Sequence, residues 1–167
     1  MENEIRRVEE FWEKRLAEIR AQFEWDEDGC DENDDPLAYH LLKAGAPAPF
    51  LIDVCGSFAL YTALNYHSED FYKRVPELLA AGSDPNEYGN EDGLSSVLHM
   101  AAYFFDAETV SALLDAGANP KALDKNGKTP LECALENKNN GAIRVLTQRH
   151  LEEFLSLSTA TPLRSRL

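Results

Sequence analysis

The sequence is short of basic residues, and this shortage excludes two classes of ligand. Lys and Arg together number 16, against 30 Asp and Glu, so the formal net charge is −14. Nucleic-acid-binding proteins gain most of their affinity by neutralising phosphates with Lys and Arg, and anionic membrane surfaces attract basic segments. We therefore expect no nucleic acid and no membrane as ligand, and a basic protein as the partner that this charge attracts.

Cysteines are also scarce, and long apolar runs are missing. Cys30, Cys55 and Cys133 lie far apart, with no CxxC pair and no Cys/His cluster, which excludes a disulfide framework and a zinc site. The N-terminal stretch MENEIRRVEEFWEKR lacks the apolar core of a signal peptide. No stretch approaches the roughly 18 apolar residues that a membrane span needs. We expect a monomeric cytoplasmic protein that holds no metal and no cofactor.

Motifs for catalysis are absent as well. The sequence contains no GxSxG nucleophile motif, no glycine-rich phosphate loop and no HExxH zinc motif. None of its four histidines stands at a ligand spacing from another His or Cys. Pairs of carboxylates are frequent, but in so acidic a chain they are typical of solvated faces. The sequence therefore predicts a protein that is not an enzyme.

Residues 1–25 carry the pattern of an amphipathic helix. Apolar side chains recur at steps of three and four: Ile5, Val8, Trp12, Leu16, Ile19 and Phe23. Glu and Arg fill the opposite face. Such a stripe has two interpretations, a capping helix packed on the rest of the protein or a helix that binds a partner or a second copy.

Residues 26–36 form an acidic segment. Seven of the ten residues 26–35 are acidic, and residues 1–35 together carry a net charge of −9, which leaves −5 for the rest of the chain. A calcium-binding EF-hand loop needs Gly at its sixth position and Glu at its twelfth. Counted from Asp26, those positions hold Asp31 and Leu37, so the pattern favours a mobile, solvated linker over a calcium site.

From residue 37 to residue 157 the sequence repeats itself. The segment LLKAGA (41–46) returns as LLAAGSDPN (78–86) and as LLDAGANPK (113–121). An apolar helix end followed by Gly supplies a left-handed helix terminus, and Asn or Asp with Pro then starts a turn. Repeats of about 35 residues are typical of stacked arrays, in which each unit buries its apolar face against its neighbours.

These repeats resemble ankyrin repeats, whose first helix opens with T-P-L-H-x-A. The matching segments are Thr129-Pro130-Leu131 and SVLHMAA from Ser96, and residues 91–123 span the family's period of 33. Residues 124–156 make a terminal repeat and residues 58–86 a degenerate one, in which Pro76 is expected to leave a distorted turn in the second helix. Residues 37–46 are interpreted as a second helix only, with the N-terminal helix standing in for the first.

The resemblance implies an all-α solenoid of about four helix pairs, with an N-terminal capping helix and a C-terminal tail at residues 158–167. It also implies a structural role for His99, because the histidine of the TPLH motif hydrogen-bonds within and between repeats. The terminal repeat has Glu132 at that position, which puts the local network there in doubt.

The family's binding surfaces are the fingers between repeats and the exposed wall of the first helices. Carried over to this sequence, they give the predicted partner-binding residues Tyr66, Glu87, Tyr88, Glu91, Asp92, Tyr103, Phe104 and Glu136. Tyr66, Tyr103 and Phe104 stand where consensus repeats have small or polar residues, and we expect them to line one wall. Two interpretations stay open: intramolecular packing, or an aromatic hot spot for a partner.

The function that these features predict is non-catalytic binding of one protein partner. A small, acidic chain with degenerate repeats resembles the ankyrin immunity proteins of bacterial toxin systems, which implies an inhibitor that blocks a basic partner. The alternative is an adaptor or effector scaffold that links two partners. An adaptor needs a second binding surface, for which the N-terminal helix is the candidate.

Overall fold

The computed structural model of the chain describes residues 2–25, 30, 36–56, 58–66, 68–88 and 95–160. This part of the chain is helical, and its only strand-like pairings are two isolated bridges. The helices are α1 (Glu2–Gln22), α2 (Leu37–Lys43), α3 (Ala48–Cys55), α4 (Phe58–Asn65), α5 (Glu69–Tyr72), α6 (Val75–Ala80), α7 (Val97–Phe104), α8 (Ala107–Asp115), α9 (Pro130–Glu136) and α10 (Asn140–Ala160). The predicted all-α fold is confirmed.

The helices stack in two rows. In the first row α2 contacts α4, α4 contacts α7, and α7 contacts α9. In the second row α3 contacts α6, α6 contacts α8, and α8 contacts α10. Each first-row helix pairs with the second-row helix that follows it, so the described residues form the predicted four helix pairs.

The core lies between the two rows. Its largest fully buried side chains are mostly leucines from both rows, among them Leu60, Leu98 and Leu113. Alanines of the first-row helices are buried as well, for example Ala63 and Ala101. Small side chains let these helices approach closely, while each buried leucine stabilises the fold by about 1.5–3 kcal/mol. This burial explains why the same apolar pattern returns in every repeat.

The prediction for residues 37–46 was wrong. Helix α2 is a first helix, because it contacts α4 in the first row and is followed by its own second helix, α3. Cys30 forms an antiparallel bridge with Pro36 just before α2, as Tyr88 does with Ser96 just before α7. The two kinds of helix have the same local ending, Leu-Leu followed by a left-handed glycine: Gly45 after α2 has a φ of 78°, and Gly82 after α6 has a φ of 109°.

Helix α1 caps the array with its C-terminal half only. Leu16 and Ile19 are buried, and Trp12, Phe23 and Trp25 pack partly buried against the core. The Phe23 ring lies 4.3 Å from the ring of His40 on α2. In the N-terminal half the apolar residues Ile5, Val8 and Phe11 are exposed. The predicted capping helix is therefore confirmed, and its stripe continues beyond the surface that it covers.

Pro76 breaks the second helix of the second repeat, as predicted. Helix α5 ends at Tyr72, a turn follows, and α6 begins at Val75 with Pro76 in its first turn, where a missing N–H leaves no bond unmade. The break places Arg74 at the start of α6, from where its guanidinium donates to the carbonyl of Ala46 at 2.5 Å. This contact connects the second repeat to the loop that follows α2.

Two predicted boundaries fall at the edges of the described residues. Of the acidic linker at 26–36, only Cys30 and Pro36 are described. Helix α10 continues to Ala160, and residues 161–167 of the predicted tail lie outside the described part. In that part no single helix is long and apolar enough to cross a membrane, although α3 and α4, bent by 111° to each other, reach the required length and composition together.

Candidate partner-binding surface

Helix α7 is anchored at its N-terminus by a buried histidine. Ser96, which is buried, precedes the helix, and its backbone N–H donates to Nδ1 of His99 at 3.2 Å. The Ser96 hydroxyl lies 2.8 Å from the same nitrogen. Since Nδ1 accepts from the backbone, we assign the proton to Nε2. These contacts satisfy polar groups that would otherwise be unpaired at the start of the helix.

The other nitrogen of His99 reaches the next repeat. Nε2 donates to the backbone carbonyl of Lys128 at 2.9 Å, in the turn before α9. Asp124 closes the same turn, because its Oδ1 accepts from the backbone N–H groups of Asn126 and Lys128, both at 2.8 Å. The predicted role of His99 within and between repeats is confirmed.

Glu132 keeps the part of this arrangement that lies within its repeat. Its Oε2 accepts from the backbone N–H of Thr129 at 2.7 Å and from the Thr129 hydroxyl at 2.8 Å. These hydrogen bonds to Thr129 hold the pKa of Glu132 below its usual value. Both helices therefore begin with a capping box, in which Glu132 of α9 takes the place of His99 of α7.

Tyr103 and Phe104 project from the end of α7. Their side chains are 37% and 56% exposed, and their rings meet edge to face at a centroid distance of 4.5 Å. The backbone beneath them is fixed by α9 and the turn after it: Asn137 donates to the carbonyl of Tyr103 at 2.5 Å, and Asn139 donates to that of Phe105 at 2.6 Å. The backbone that carries the two aromatic side chains is thus held by two asparagines that follow α9.

A cleft of about 250 Å³ lies between α7 and α9, and we call it the α7–α9 cleft. Its lining includes Ser95, His99, Met100, Tyr103, Phe104, Asp124, Asn126, Lys128, Cys133 and Glu136. Glu136 follows Tyr103 by one 33-residue repeat and pairs with Lys128 at 2.6 Å. Three of the predicted binding residues, Tyr103, Phe104 and Glu136, are therefore brought together.

Tyr66 lies elsewhere. Its ring stacks on that of Tyr39 from α2 at a centroid distance of 4.5 Å, and Tyr39 also contacts the buried Phe71. Tyr66 is partly buried against the core and does not line the α7–α9 cleft. Of the two interpretations of the aromatic residues, intramolecular packing describes Tyr66, while Tyr103 and Phe104 are exposed.

The finger before α7 is described only in part. Tyr88 is exposed and bridges to Ser96, whereas the Glu87 carbonyl accepts from the backbone N–H of Val97 at 2.9 Å. The Glu87 side chain is half-buried, and its Oε2 is shielded from solvent without a hydrogen-bond partner. Glu91 and Asp92 lie outside the described residues.

Two further observations concern the metal-binding and nucleophilic side chains of the described residues. No three His, Cys, Asp or Glu side chains in this part of the chain gather into a group that could hold a metal ion. Burial raises the pKa of the Cys55 thiol to about 11 and also raises that of Cys133. Both thiols are therefore protonated near neutral pH, where a thiolate would be needed for nucleophilic attack.

Comparison with known proteins identifies the repeats. Residues 64–154 match the family model for ankyrin repeats, in three copies. The chain belongs to the ankyrin-repeat family. The match begins at the last two residues of α4 and reaches into α10, so it covers α5, α6, the pair α7/α8 and α9 completely. The pair α2/α3 precedes it and continues the same two rows.

Three known proteins contain stretches similar to this chain. The chain is 53% identical over 62 residues to the ARF GTPase-activating protein Git of Drosophila melanogaster, which covers 37% of this chain and 8% of the relative. It is 34% identical over 103 residues to the human B-cell lymphoma 3 protein (61% of the chain, 22% of the relative). It is 38% identical over 72 residues to the Drosophila Neurogenic locus Notch protein (43% and 3%). The chain thus spans less than a quarter of each of these relatives. Ankyrin repeats are protein-interaction units, and this array is one of them.

Sequence reasoning missed two apolar residues of the α7–α9 cleft, Met100 and Cys133. Both have a detectable signal, because they stand one helical turn before the predicted wall residues. Met100 precedes Phe104 by four residues, and Cys133 precedes Glu136 by three, so each lies on the same face of its helix.

The shielded carboxyl of Glu87 predicts a pH-dependent stability. Burial, with a further contribution from the charge of Asp84, raises the pKa of Glu87 from 4.5 to about 8. Between these pH values the folded chain holds a proton that the unfolded chain releases, so the free energy of unfolding falls as pH rises through this window. Glu87→Gln is expected to abolish this loss, and to be more stable than wild type by about 1–2 kcal/mol above pH 8. The gain in stability stays below the value that the full pKa shift corresponds to, because solvent screens the partly exposed side chain.

Urea unfolding of both proteins at pH 4, 6 and 8.5 measures this effect. The difference in unfolding free energy between variant and wild type should grow with pH, while the contributions of all other titrating groups cancel. A difference that is the same at the three pH values would contradict a shielded Glu87.

Proposed function

We propose that the chain binds a basic protein partner through the α7–α9 cleft and inhibits that partner by occupying it. The observation that carries the proposal is the exposed pair Tyr103 and Phe104, which stands on a fixed backbone at the edge of a formed cleft. Aromatic residues are enriched among interface hot spots because they bury a large area at a small loss of side-chain entropy. A rigid backbone lowers the entropy lost on binding further.

Charge supports a basic partner. Asp124 and Glu136 line the cleft against the single ammonium of Lys128, which pairs with Glu136. Glu91 and Asp92 lie in the neighbouring finger by sequence, and the chain as a whole carries −14. A negative rim around apolar anchors increases the association rate of a positive partner and repels a negative one. In this proposal the chain acts as a monomer in the cytoplasm, without a catalytic step of its own.

Affinity capture with matched variants tests this function. The double variant Tyr103→Ala/Phe104→Ala is compared as bait with wild type and with Phe154→Ala, which removes an exposed aromatic side chain of α10 outside the cleft. We expect one basic protein to bind wild type and Phe154→Ala and to be lost from the double variant. The purified partner should lose its activity when one equivalent of the chain is added. A partner that binds all three baits equally would contradict the cleft as the interface.

Neutralising the acidic segment tests the role of charge. Replacement of the acidic residues of 26–35 by Asn and Ser should slow association with the captured partner about three- to tenfold at physiological salt, because attraction acts over a screening length of about 8 Å. The dissociation rate should change little. Stopped-flow or surface-plasmon measurements separate the two rates, and a strongly accelerated dissociation would mean that the segment contacts the partner directly.

A second candidate function is that of an adaptor that links two partners. The observation that favours it is the apolar N-terminal half of α1, which the array leaves exposed. The two functions differ in their products: an inhibitor removes the partner's activity, whereas an adaptor keeps two proteins bound at once. Mixing the chain with its partner and measuring the mass of the complex distinguishes a two-component complex from a three-component one.

A further inference from the structure

A second apolar surface lies at the other end of the molecule. A groove of about 1050 Å³ runs between the N-terminal half of α1 and the start of α3. We call it the α1–α3 groove. Its apolar lining consists of Ile5, Val8 and Trp12 on one side and Pro47, Pro49 and Phe50 on the other. The rings of Trp12 and Phe50 lie 6.0 Å apart where the two sides meet.

The groove exists because α1 is much longer than the surface that it covers. Its 21 residues extend about 32 Å, whereas the eight residues of α3 extend about 12 Å. The apolar stripe nevertheless continues at helical spacing to the N-terminal end, where Ile5 and Val8 are 57% and 50% exposed. A stripe that needs only to cap the array would end at Trp12. Contiguous exposed apolar surface of this kind marks an interaction site.

The polar lining of the groove selects the charge of its occupant. Five carboxylates line it, from Glu4, Glu9, Glu10, Glu13 and Asp53, against the single guanidinium of Arg6. Arg6 lies 3.6 Å from Glu10 and so pairs with one of them. A negative rim around an apolar floor matches a helix with an apolar stripe and basic flanks. A second copy of the chain, which carries −14, and an anionic membrane are both repelled by the same charges.

We propose that the α1–α3 groove binds a basic amphipathic helix of a partner protein, of about three to four turns. The helix lies along the exposed stripe of α1, inserts apolar side chains spaced by three and four residues between Val8 and Phe50, and places Lys or Arg beside the carboxylates of the rim. This surface is separate from the α7–α9 cleft, with which it shares no lining residue.

A pair of synthetic peptides tests the proposal on the full chain. The probe is a labelled helix of about 14 residues, which makes about four turns, with Leu at positions spaced by three and four and Lys at the others. The control has Glu in place of every Lys. Fluorescence polarisation should give at least tenfold tighter binding of the basic peptide at physiological salt. This binding should weaken several-fold at 0.5 M salt, because the screening length falls to about 4 Å. Equal binding of both peptides, or none, would overturn the proposal.

Matched variants locate the binding. Ile5→Gln/Val8→Gln replaces exposed apolar side chains without adding charge and should weaken the basic peptide about tenfold or more, while Leu151→Gln, at an exposed leucine of α10, should leave the affinity unchanged. Circular dichroism checks that each variant stays helical. Tyr103→Ala should not affect the peptide, which separates this surface from the proposed inhibitory one. Unchanged affinity in Ile5→Gln/Val8→Gln, or a dimer that this variant dissociates, would refute a partner helix in the groove.

Discussion

Tyr103→Ala is expected to weaken binding of the captured partner by about 2 kcal/mol, roughly thirtyfold, mostly through faster dissociation. Tyr103 meets Phe104 edge to face and lines the α7–α9 cleft, so truncation removes an anchor together with its contact to the neighbouring ring. The backbone should stay in place, because Asn137 donates to the backbone carbonyl of residue 103, and this carbonyl is present whatever the side chain. The loss should therefore appear in affinity and hardly in stability.

Surface-plasmon kinetics and thermal unfolding, measured on the same preparations, check this result. Asp92→Ala provides the comparison for charge: its effect should be much smaller, fall on association, and vanish at high salt. If Tyr103→Ala lowers the melting temperature steeply while the affinity is unchanged, the aromatic pair serves packing and the binding surface lies elsewhere.

His99→Ala is expected to lower the free energy of unfolding by about 3 kcal/mol, the largest effect on stability that we predict. His99 is only 2% exposed and joins two repeats, with Ser96 on one side and the Lys128 carbonyl on the other. Its removal leaves buried polar groups of both repeats unpaired and opens a cavity beneath α7. Because an array is stabilised through contacts between neighbouring repeats, the terminal pair α9/α10 should also separate earlier.

Urea and thermal unfolding measure this loss, which corresponds to about 6–12 °C for a domain of this size. Glu132→Ala is the matched control, since Glu132 stands at the same position one repeat later but is exposed and bonds only Thr129. Its effect should be clearly smaller. Comparable losses in the two variants would show that His99 acts only as a helix cap, without connecting the repeats.

The recurring local patterns of the sequence were enough to predict the architecture. Apolar side chains at helical spacing, Gly82 and Gly117 after helix ends, and the motif around His99 each act within a few residues. A repeat array is built from such units stacked on their neighbours, so local patterns specify most of its fold. The break at Pro76 was predictable for the same reason, because proline removes a donor and fixes its own backbone angle.

Assignments that depend on which helices meet could not be made in this way. The ending LLKAG at Gly45 looks like that of a second helix, yet contact with α4 places α2 in the first row. Tyr66 and Phe104 occupy corresponding positions in their repeats. The ring of Tyr66 stacks on that of Tyr39 and is partly buried, whereas Phe104 is exposed. The exposure of a side chain is set by the neighbouring repeat, and degenerate repeats offer different neighbours at the same position.

The sequence by itself determined that this is an acidic, all-helical ankyrin array without catalytic motifs, because composition and helical spacing are local properties. Only the tertiary structure decided which surfaces remain for partners. It joined Tyr103, Phe104 and Glu136 around one cleft, shielded the carboxyl of Glu87, and left half of the stripe of α1 uncovered. Burial depends on distant parts of the chain meeting, and no pattern within a single repeat contains that information.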